Sequence, residues 1–387
     1  MTKKQMNSDF QKRKKILIAT GIYPPDIGGP ASYVSILEKE LPKINFDVCV
    51  TTYADNFEQK KGVYQVLRGQ NIFCRYLKYF WFVFKLIPSV DCVYVMGAVS
   101  EGLPAWLACK LRRKKYILKI VGDYAWEQSK QRFGVYNSID DFQNKKYSWR
   151  VELMRAIQKK VANGAEKIIV PSQYLKKIVS GWVIDVNKIF VVYNSVDRLE
   201  EENISSKKID LKGDIILSAG RLVSWKGFDT LIDLMPELLK ENPNFKLVII
   251  GDGPFFEKYK TQIEKRDLAE SVKLLGRVEQ KKLWEYMKVS RIFVLNTGYE
   301  GLSHVLIEAM LVGAPIVATN TGGNPELIED NVSGLLIEFN NKKQIKETIL
   351  KLWKDKCFAD RLAFEAQKKA RKNFSREKMI SDLLKVL

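Results

Sequence analysis

The sequence predicts an α/β protein of two Rossmann-like domains, each a doubly wound parallel sheet, facing one another across a cleft. Short apolar β runs alternate with helical patterns along the chain, the signature of parallel sheets covered by crossover helices. The alternation stops at a polar, charged stretch, Arg198–Gly213, and then restarts. At 387 residues the chain is too long for one ordinary core, and two domains of roughly 200 residues each suit it.

The elements follow in order. Lys15–Thr20 is a short apolar strand, the turn Gly21 to Pro30 carries Gly28-Gly29, and a helical pattern runs from Ala31 to Leu41. Strand, glycine-bearing turn and helix open a doubly wound domain. Further β runs fall at Phe46–Thr52, Val63–Leu67, Asp91–Met96, Tyr116–Val121, Lys167–Val170 and Phe190–Tyr193. The second half repeats the plan with Ile215–Ala219, Lys246–Ile250, Val272–Leu275, Ile292–Asn296, Pro315–Thr319 and Leu335–Glu338.

Composition narrows the class. Hydrophobic content is 46% with no low-complexity tract, as in a folded globular protein. Five cysteines form no Cys-x-x-Cys pair and sit mostly in apolar runs, so buried, reduced thiols in a cytoplasmic setting are expected. A single histidine, His304, makes a zinc site improbable. The stretch before Ile16 is polar and basic, which argues against a secretory signal, and no run reaches the ~20 apolar residues of a membrane span. Residues 1–197 carry 32 Lys/Arg against 17 Asp/Glu, and the remainder 32 against 28, so the first half holds most of the net +19. Such a field favours an anionic partner: nucleic acid, anionic lipid or a phosphate-bearing substrate.

Candidate site residues cluster at two turns. In Tyr299-Glu300-Gly301-Leu302-Ser303-His304-Val305-Leu306-Ile307-Glu308, Ser303 can cap a helix, leaving Glu300 in the loop ahead and Glu308 inside. The free N–H groups of the first turn form an anion site between two carboxylates, which suits a sugar nucleotide. The alternative is a solvated helix face with an acidic first turn. The strand Ile215–Ala219 runs into Gly220-Arg221-Leu222-Val223-Ser224-Trp225-Lys226-Gly227. This puts Arg221 and Lys226 at a strand's carboxyl end, where open α/β sheets bind ligands, able to hold a diphosphate as it leaves. Gly28 and Gly29 lack dinucleotide-fingerprint spacing; they are either ordinary turn glycines or a close approach to a bulky group in the cleft.

Together these pieces resemble a family 4 glycosyltransferase of the GT-B fold nearly end to end. The resemblance is carried by Tyr23-Pro24-Pro25 with Gly28-Gly29, Pro171-Ser172, Tyr193-Asn194-Ser195-Val196-Asp197, Gly220-Arg221-Leu222 with Lys226-Gly227, Gly251-Asp252-Gly253-Pro254, Leu275-Gly276, the Glu300/Glu308 pair and Thr321-Gly322-Gly323-Asn324-Pro325-Glu326. It implies retaining transfer of a hexose from a nucleotide-sugar, UDP- or GDP-linked, with no separate cofactor and no metal. Arg221 and Lys226 would bind the diphosphate, Glu308 the ribose and Glu300 the donor sugar. The amides of His304, Val305 and Leu306 would face the donor, Gly276-Arg277 would lie near the base, and Gly322 and Glu326 belong to the supporting loop. The leaving phosphate oxygen would take the acceptor's proton, so no protein base is assigned. The expected division is residues 1–197 for the acceptor, a linker at 198–213, 214–370 for the donor, and a C-terminal helix in 371–387 crossing back to the first domain.

One departure matters. Many members carry a histidine after a first-domain strand, where this chain reads Val121-Gly122-Asp123-Tyr124-Ala125-Trp126-Glu127. Asp123 is the substitute candidate for contacting sugar or acceptor hydroxyls, its alternative being a helix cap. The segment from there to Tyr147 reads as a long aromatic loop fitting an acceptor lid. His304 is expected to serve through its backbone N–H.

Residues Ile72–Ile87 form a helix with Arg75, Lys78 and Lys85 on one stripe and aromatics elsewhere, either a buried crossover or a membrane-interface element. With the basic clusters Lys12–Lys15, Arg112–Lys115 and Lys145-Lys146, it points to an anionic membrane surface as partner, on the inner face. The acceptor is expected to be lipid-linked or a saccharide, in cell-surface glycan synthesis. A GT-B-like epimerase or phosphorylase is the nearer alternative. A basic nucleic-acid binder is the distant one, since no interleaved basic-aromatic motif appears and no nucleic-acid partner is expected.

Overall fold

The computed structural model describes residues 13–26, 28–196, 209 and 211–387. Most of the expected linker, together with Lys12, Ile27 and Asp197, lies outside the described residues.

Two parallel sheets organise the chain. The first has strands β1 (Lys14–Ala19), β2 (Phe46–Ala54), β3 (Val63–Leu67), β4 (Cys92–Val95), β5 (Ile117–Lys119), β6 (Lys167–Val170) and β7 (Ile189–Val191), in the order β3-β2-β1-β4-β5-β6-β7. The second has β8 (Asp214–Ala219), β9 (Phe245–Ile250), β10 (Val272–Leu274), β11 (Ile292–Leu295), β12 (Ile316–Thr319) and β13 (Leu335–Ile337), in the order β10-β9-β8-β11-β12-β13. Every expected β run coincides with one of these strands, with ends that differ by a few residues.

The strands read as unbroken apolar runs because helices cover both faces. In β1, Ile16 and Ile18 pack on one side with Tyr33, Val34 and Leu37, while Leu17 and Ala19 face Val93, Val95 and Val161 on the other. The helix Arg376–Leu384 returns to this domain, placing Met379, Ile380 and Leu383 in the core of the Ile16/Ile18 face. Burying these three side chains is worth about 6 kcal/mol before ordering costs. An Arg376–Glu40 ion pair of 3.1 Å fixes the register of the return.

Two expectations change and one open alternative is narrowed. Asp123 to Tyr147 is not an open loop, because Tyr124–Arg132 and Ile139–Asn144 are helices. Trp126, Ile139 and Phe142 bury there and give these helices a core of their own with Val223, Trp225 and Tyr299 of the second domain. The thiols are not uniformly buried, since Cys74 and Cys357 are exposed. The helix Ile72–Leu86 buries only Tyr79 and Val83, while Ile72, Phe73, Leu77 and Trp81 lie exposed. An apolar crossover helix should hide such residues, so this face has spare hydrophobic surface.

Candidate active site

The two sheets meet with the carboxyl ends of β5 and β6 near those of β8 and β11, where open α/β sheets place ligands. The contact is direct. Trp126 lies edge-on to Tyr299 at 4.9 Å between ring centres and tilted against Trp225 at 5.4 Å. Such pairs add about 1 kcal/mol each beyond burial.

The helix His304–Val312 is capped as expected, the Ser303 hydroxyl accepting from the Leu306 N–H at 3.4 Å. Glu300 sits ahead of the helix, and its carboxylate is ion-paired with the Lys226 ammonium. Lys226 ends a 3-10 turn, Ser224–Lys226, and Gly227 behind it has φ 54°, a left-handed conformation natural to glycine. Arg221 is exposed at the mouth of the same turn. Glu308 is buried one turn into the helix and accepts from Gln280 Nε2 at 2.7 Å. Gly220 follows β8 beside Lys226, Gly276 accepts the Gly251 N–H at 2.8 Å, and Arg277 after it is exposed.

The Gly322-Gly323 pair lets this loop close. A Cβ on Gly322 would stand 2.1 Å from the Glu300 carbonyl oxygen, and the Gly323 N–H donates to that oxygen at 2.9 Å. Any side chain at Gly322 would therefore displace Glu300.

Glu326, from the same loop, crosses to the first domain. Its two carboxylate oxygens accept the N–H groups of Gln173 at 2.9 Å and Tyr174 at 2.8 Å, at the start of the helix Gln173–Ser180, and the Tyr193 hydroxyl at 2.9 Å. The helix dipole favours that carboxylate. Ser172 caps the same helix while donating to the Gly301 carbonyl at 2.6 Å, a second tie between domains.

A third tie ends on His304. Lys119, fully buried at the end of β5, donates to Asn194 Oδ1 at 2.9 Å, and Asn194 Nδ2 stands 3.0 Å from His304 Nε2. With Lys119 donating to its carbonyl, Asn194 presents its amide to His304. Nε2 is therefore the acceptor and the ring is neutral with its proton on Nδ1. Burial, together with the Lys119 charge, pushes His304 down to about 4, and burial pushes Lys119 down to about 7. Gly29 packs on this ring: a Cβ there would lie 3.2 Å from Nε2. Gly28 precedes it at the start of the helix Gly29–Glu40. Gly29 thus lets the first domain's opening helix pack against His304.

Asp123 takes up the helix-cap alternative. It is buried and caps the helix Tyr124–Arg132, with Oδ1 accepting from the Trp126 N–H and Gln158 Nε2, both at 3.1 Å, and Oδ2 from Gln143 Nε2 at 2.8 Å. Each oxygen accepts at least one hydrogen bond from within the first domain, so the carboxylate organises the start of this helix. Sequence reasoning overlooked Glu127, one turn further on, whose carboxyl faces the site. The i+4 spacing from Asp123 was the available signal. Asn194 lay within a quoted motif without a role, and nothing in the sequence marked Gln280.

Two parallel-sheet domains with cations, a capped helix start and acidic side chains at the facing strand ends have the GT-B arrangement. Two family models together span residues 27–373: Glycosyltransferase Family 4 matches 27–198 and Glycosyl transferases group 1 matches 199–373. The chain belongs to this family of glycosyltransferases. An uncharacterized glycosyltransferase of Methanocaldococcus jannaschii is 28% identical over 96% of this chain and 97% of its own. The N-acetylgalactosamine-N,N'-diacetylbacillosaminyl-diphospho-undecaprenol 4-alpha-N-acetylgalactosaminyltransferase of Campylobacter jejuni is 32% identical over 55% of this chain and 57% of its own. Sucrose-phosphate synthase of Thermosynechococcus elongatus superposes with TM-score 0.80 at 17% identity, over 97% and 98% of the two chains. HepE of Anabaena, solved with UDP and glucose, gives TM-score 0.77 at 21% identity over 97% and 100%.

Proposed function

We propose that this glycosyltransferase moves a hexose, with retention, from a UDP- or GDP-linked donor to a lipid-linked or polysaccharide acceptor in cell-surface glycan synthesis. The observation that carries the reading is the convergence at one helix start of Lys226, Glu300 and Glu308 with the exposed Arg221 nearby. Arg221, Lys226 and the first-turn amides of His304, Val305 and Leu306 take the diphosphate. Glu308, already accepting a hydrogen bond from Gln280, takes the ribose hydroxyls. Gly276 and Arg277 border the base, and Glu300 turns to the sugar once the diphosphate competes for Lys226. Glu326 holds the domains together around the ligand. The donor class draws support from the UDP named in the HepE structure, and the acceptor class from the undecaprenol-linked substrate in the name of the Campylobacter relative.

Among the described residues no helix is long and apolar enough to cross a membrane. We assign the enzyme a peripheral place on the inner membrane face through the helix Ile72–Leu86. Its exposed Phe73, Leu77 and Trp81 recur every four residues, and Leu107 and Leu111 of the neighbouring helix Gly102–Leu111 are exposed as well. Lys85 stands 5.0 Å over the Trp81 ring and Arg112 lies 3.8 Å over Phe84, the arrangement of an interfacial helix with cations at the headgroups.

A thermal-shift panel of UDP- and GDP-hexoses tests the donor assignment. The bound donor at 100 times its dissociation constant stabilises by about 2.7 kcal/mol. No shift with any member of the panel would sink the reading.

A further inference from the structure

We infer that Glu127 accepts the proton of the attacking hydroxyl, a task otherwise left to the leaving phosphate oxygen; this rests on the transfer reaction proposed above. Glu127 lies on the helix Tyr124–Arg132, four residues beyond the capping Asp123. Its carboxyl folds back over Gly122, where a Cβ would stand 2.5 Å from Oε1 and 3.3 Å from the Tyr299 hydroxyl. Glycine at 122 is thus what allows the carboxyl to reach the domain interface.

The surroundings select a proton acceptor. Asp123 bears on Glu127 from its own helix, Arg221 and Lys226 from the turn after β8, and Tyr299 and Glu300 from the loop after β11. No hydrogen bond or ion pair engages the Glu127 carboxyl among the described residues, whereas both oxygens of Asp123 are taken. The buried Tyr299 hydroxyl, 3.3 Å from the same Cβ position, is likewise without a partner among the described residues, so two polar groups from opposite domains converge beside Gly122. Burial and the neighbouring carboxylates push Glu127 up to about 7, while the two cations keep it from rising further. A base of that strength exchanges protons efficiently near neutral pH.

The same location favours attack from the leaving-group side. Arg221 and Lys226 hold the leaving diphosphate, and Glu127 shares their field, so a hydroxyl hydrogen-bonded to Glu127 approaches from the leaving-group side. The acceptor oxygen bonds to the anomeric carbon and the carbon–oxygen bond to the diphosphate breaks, its electron pair departing on phosphate. The hydroxyl proton passes to Glu127.

Hydrolysis of the UDP- or GDP-hexose that binds in the thermal panel, with water standing in for the acceptor, supplies the test. Glu127→Gln, nearly the same shape, is compared with Glu127→Asp and the unaltered protein from pH 5.5 to 9. The unaltered enzyme should gain activity with an inflection close to neutrality. Glu127→Gln should lose about 100-fold or more in kcat and lose the inflection, with donor binding and thermal midpoint kept, and Glu127→Asp should recover part of the rate together with the inflection. Glu127→Gln retaining either the rate or the inflection would overturn the assignment while leaving the transferase reading intact. Absence of donor binding by the unaltered protein would overturn both.

Discussion

The Lys226 ammonium and the Glu300 carboxylate are ion-paired between the turn after β8 and the loop after β11, with only 12% and 15% of their side chains exposed. A charge that shielded is fully compensated only while its partner stays. In the proposed reaction a diphosphate entering beside Lys226 would replace Glu300 as counter-ion and free that carboxylate for the sugar. Lys226→Ala is accordingly expected to lower transfer by about 100-fold or more. Steady-state kinetics with circular dichroism on the same samples checks this, and an unimpaired rate in a folded variant would remove Lys226 from the chemistry.

The Glu326 tie predicts a change in domain arrangement. Glu326→Ala leaves the N–H groups of Gln173 and Tyr174 and the Tyr193 hydroxyl without their acceptor. Charged hydrogen bonds of this kind are worth about 2 kcal/mol each. The variant should melt earlier and show a larger radius of gyration by small-angle scattering. An unchanged scattering profile would show that the other ties suffice.

His304 sets an acid limit on stability. Its folded pKa of about 4 lies below the ordinary 6.5, so between those values the unfolded chain binds a proton that the folded one refuses. Stability therefore falls as pH drops from about 6.5 towards 4. The effect is on the order of 1.4 kcal/mol for each unit by which the two pKa values differ. Denaturant unfolding of His304→Asn should show a shallower acid decline than the parent, and parallel curves would contradict the assignment of a neutral ring.

The exposed stripe on Ile72–Leu86 predicts sedimentation with anionic vesicles that weakens as salt screens the lysines and arginines. Trp81→Glu together with Phe73→Ser should abolish binding without altering donor affinity. Equal binding to neutral vesicles, or none at low ionic strength, would refute the membrane assignment.

What the sequence disclosed was local or periodic. Alternating apolar runs located every strand, and the Ser303 cap placed Glu300 and Glu308 correctly on either side of a helix start. What stayed hidden depends on distant residues meeting. Asp123 looks the same in sequence whether it faces a sugar or caps a helix. Only the approach of Gln143 and Gln158 from other helices settles that its oxygens are occupied. The partnership of Lys119, Asn194 and His304 joins three separate segments, and no spacing rule announces it. The aromatic stretch to Tyr147 resembled a loop because its helices are short and draw their burial from Trp225 and Tyr299 of the other domain.

Calorimetric titration of the nucleotide-hexose selected by thermal shift into the unaltered protein and Glu308→Ala tests the central claim most directly. Glu308 is buried in the first turns of the helix His304–Val312, where the ribose is assigned. The account predicts saturable one-to-one binding by the parent and at least about tenfold weaker binding by the variant, a loss of ~1.4 kcal/mol or more. Equal affinity in the two proteins, with Glu308→Ala folded, would contradict it.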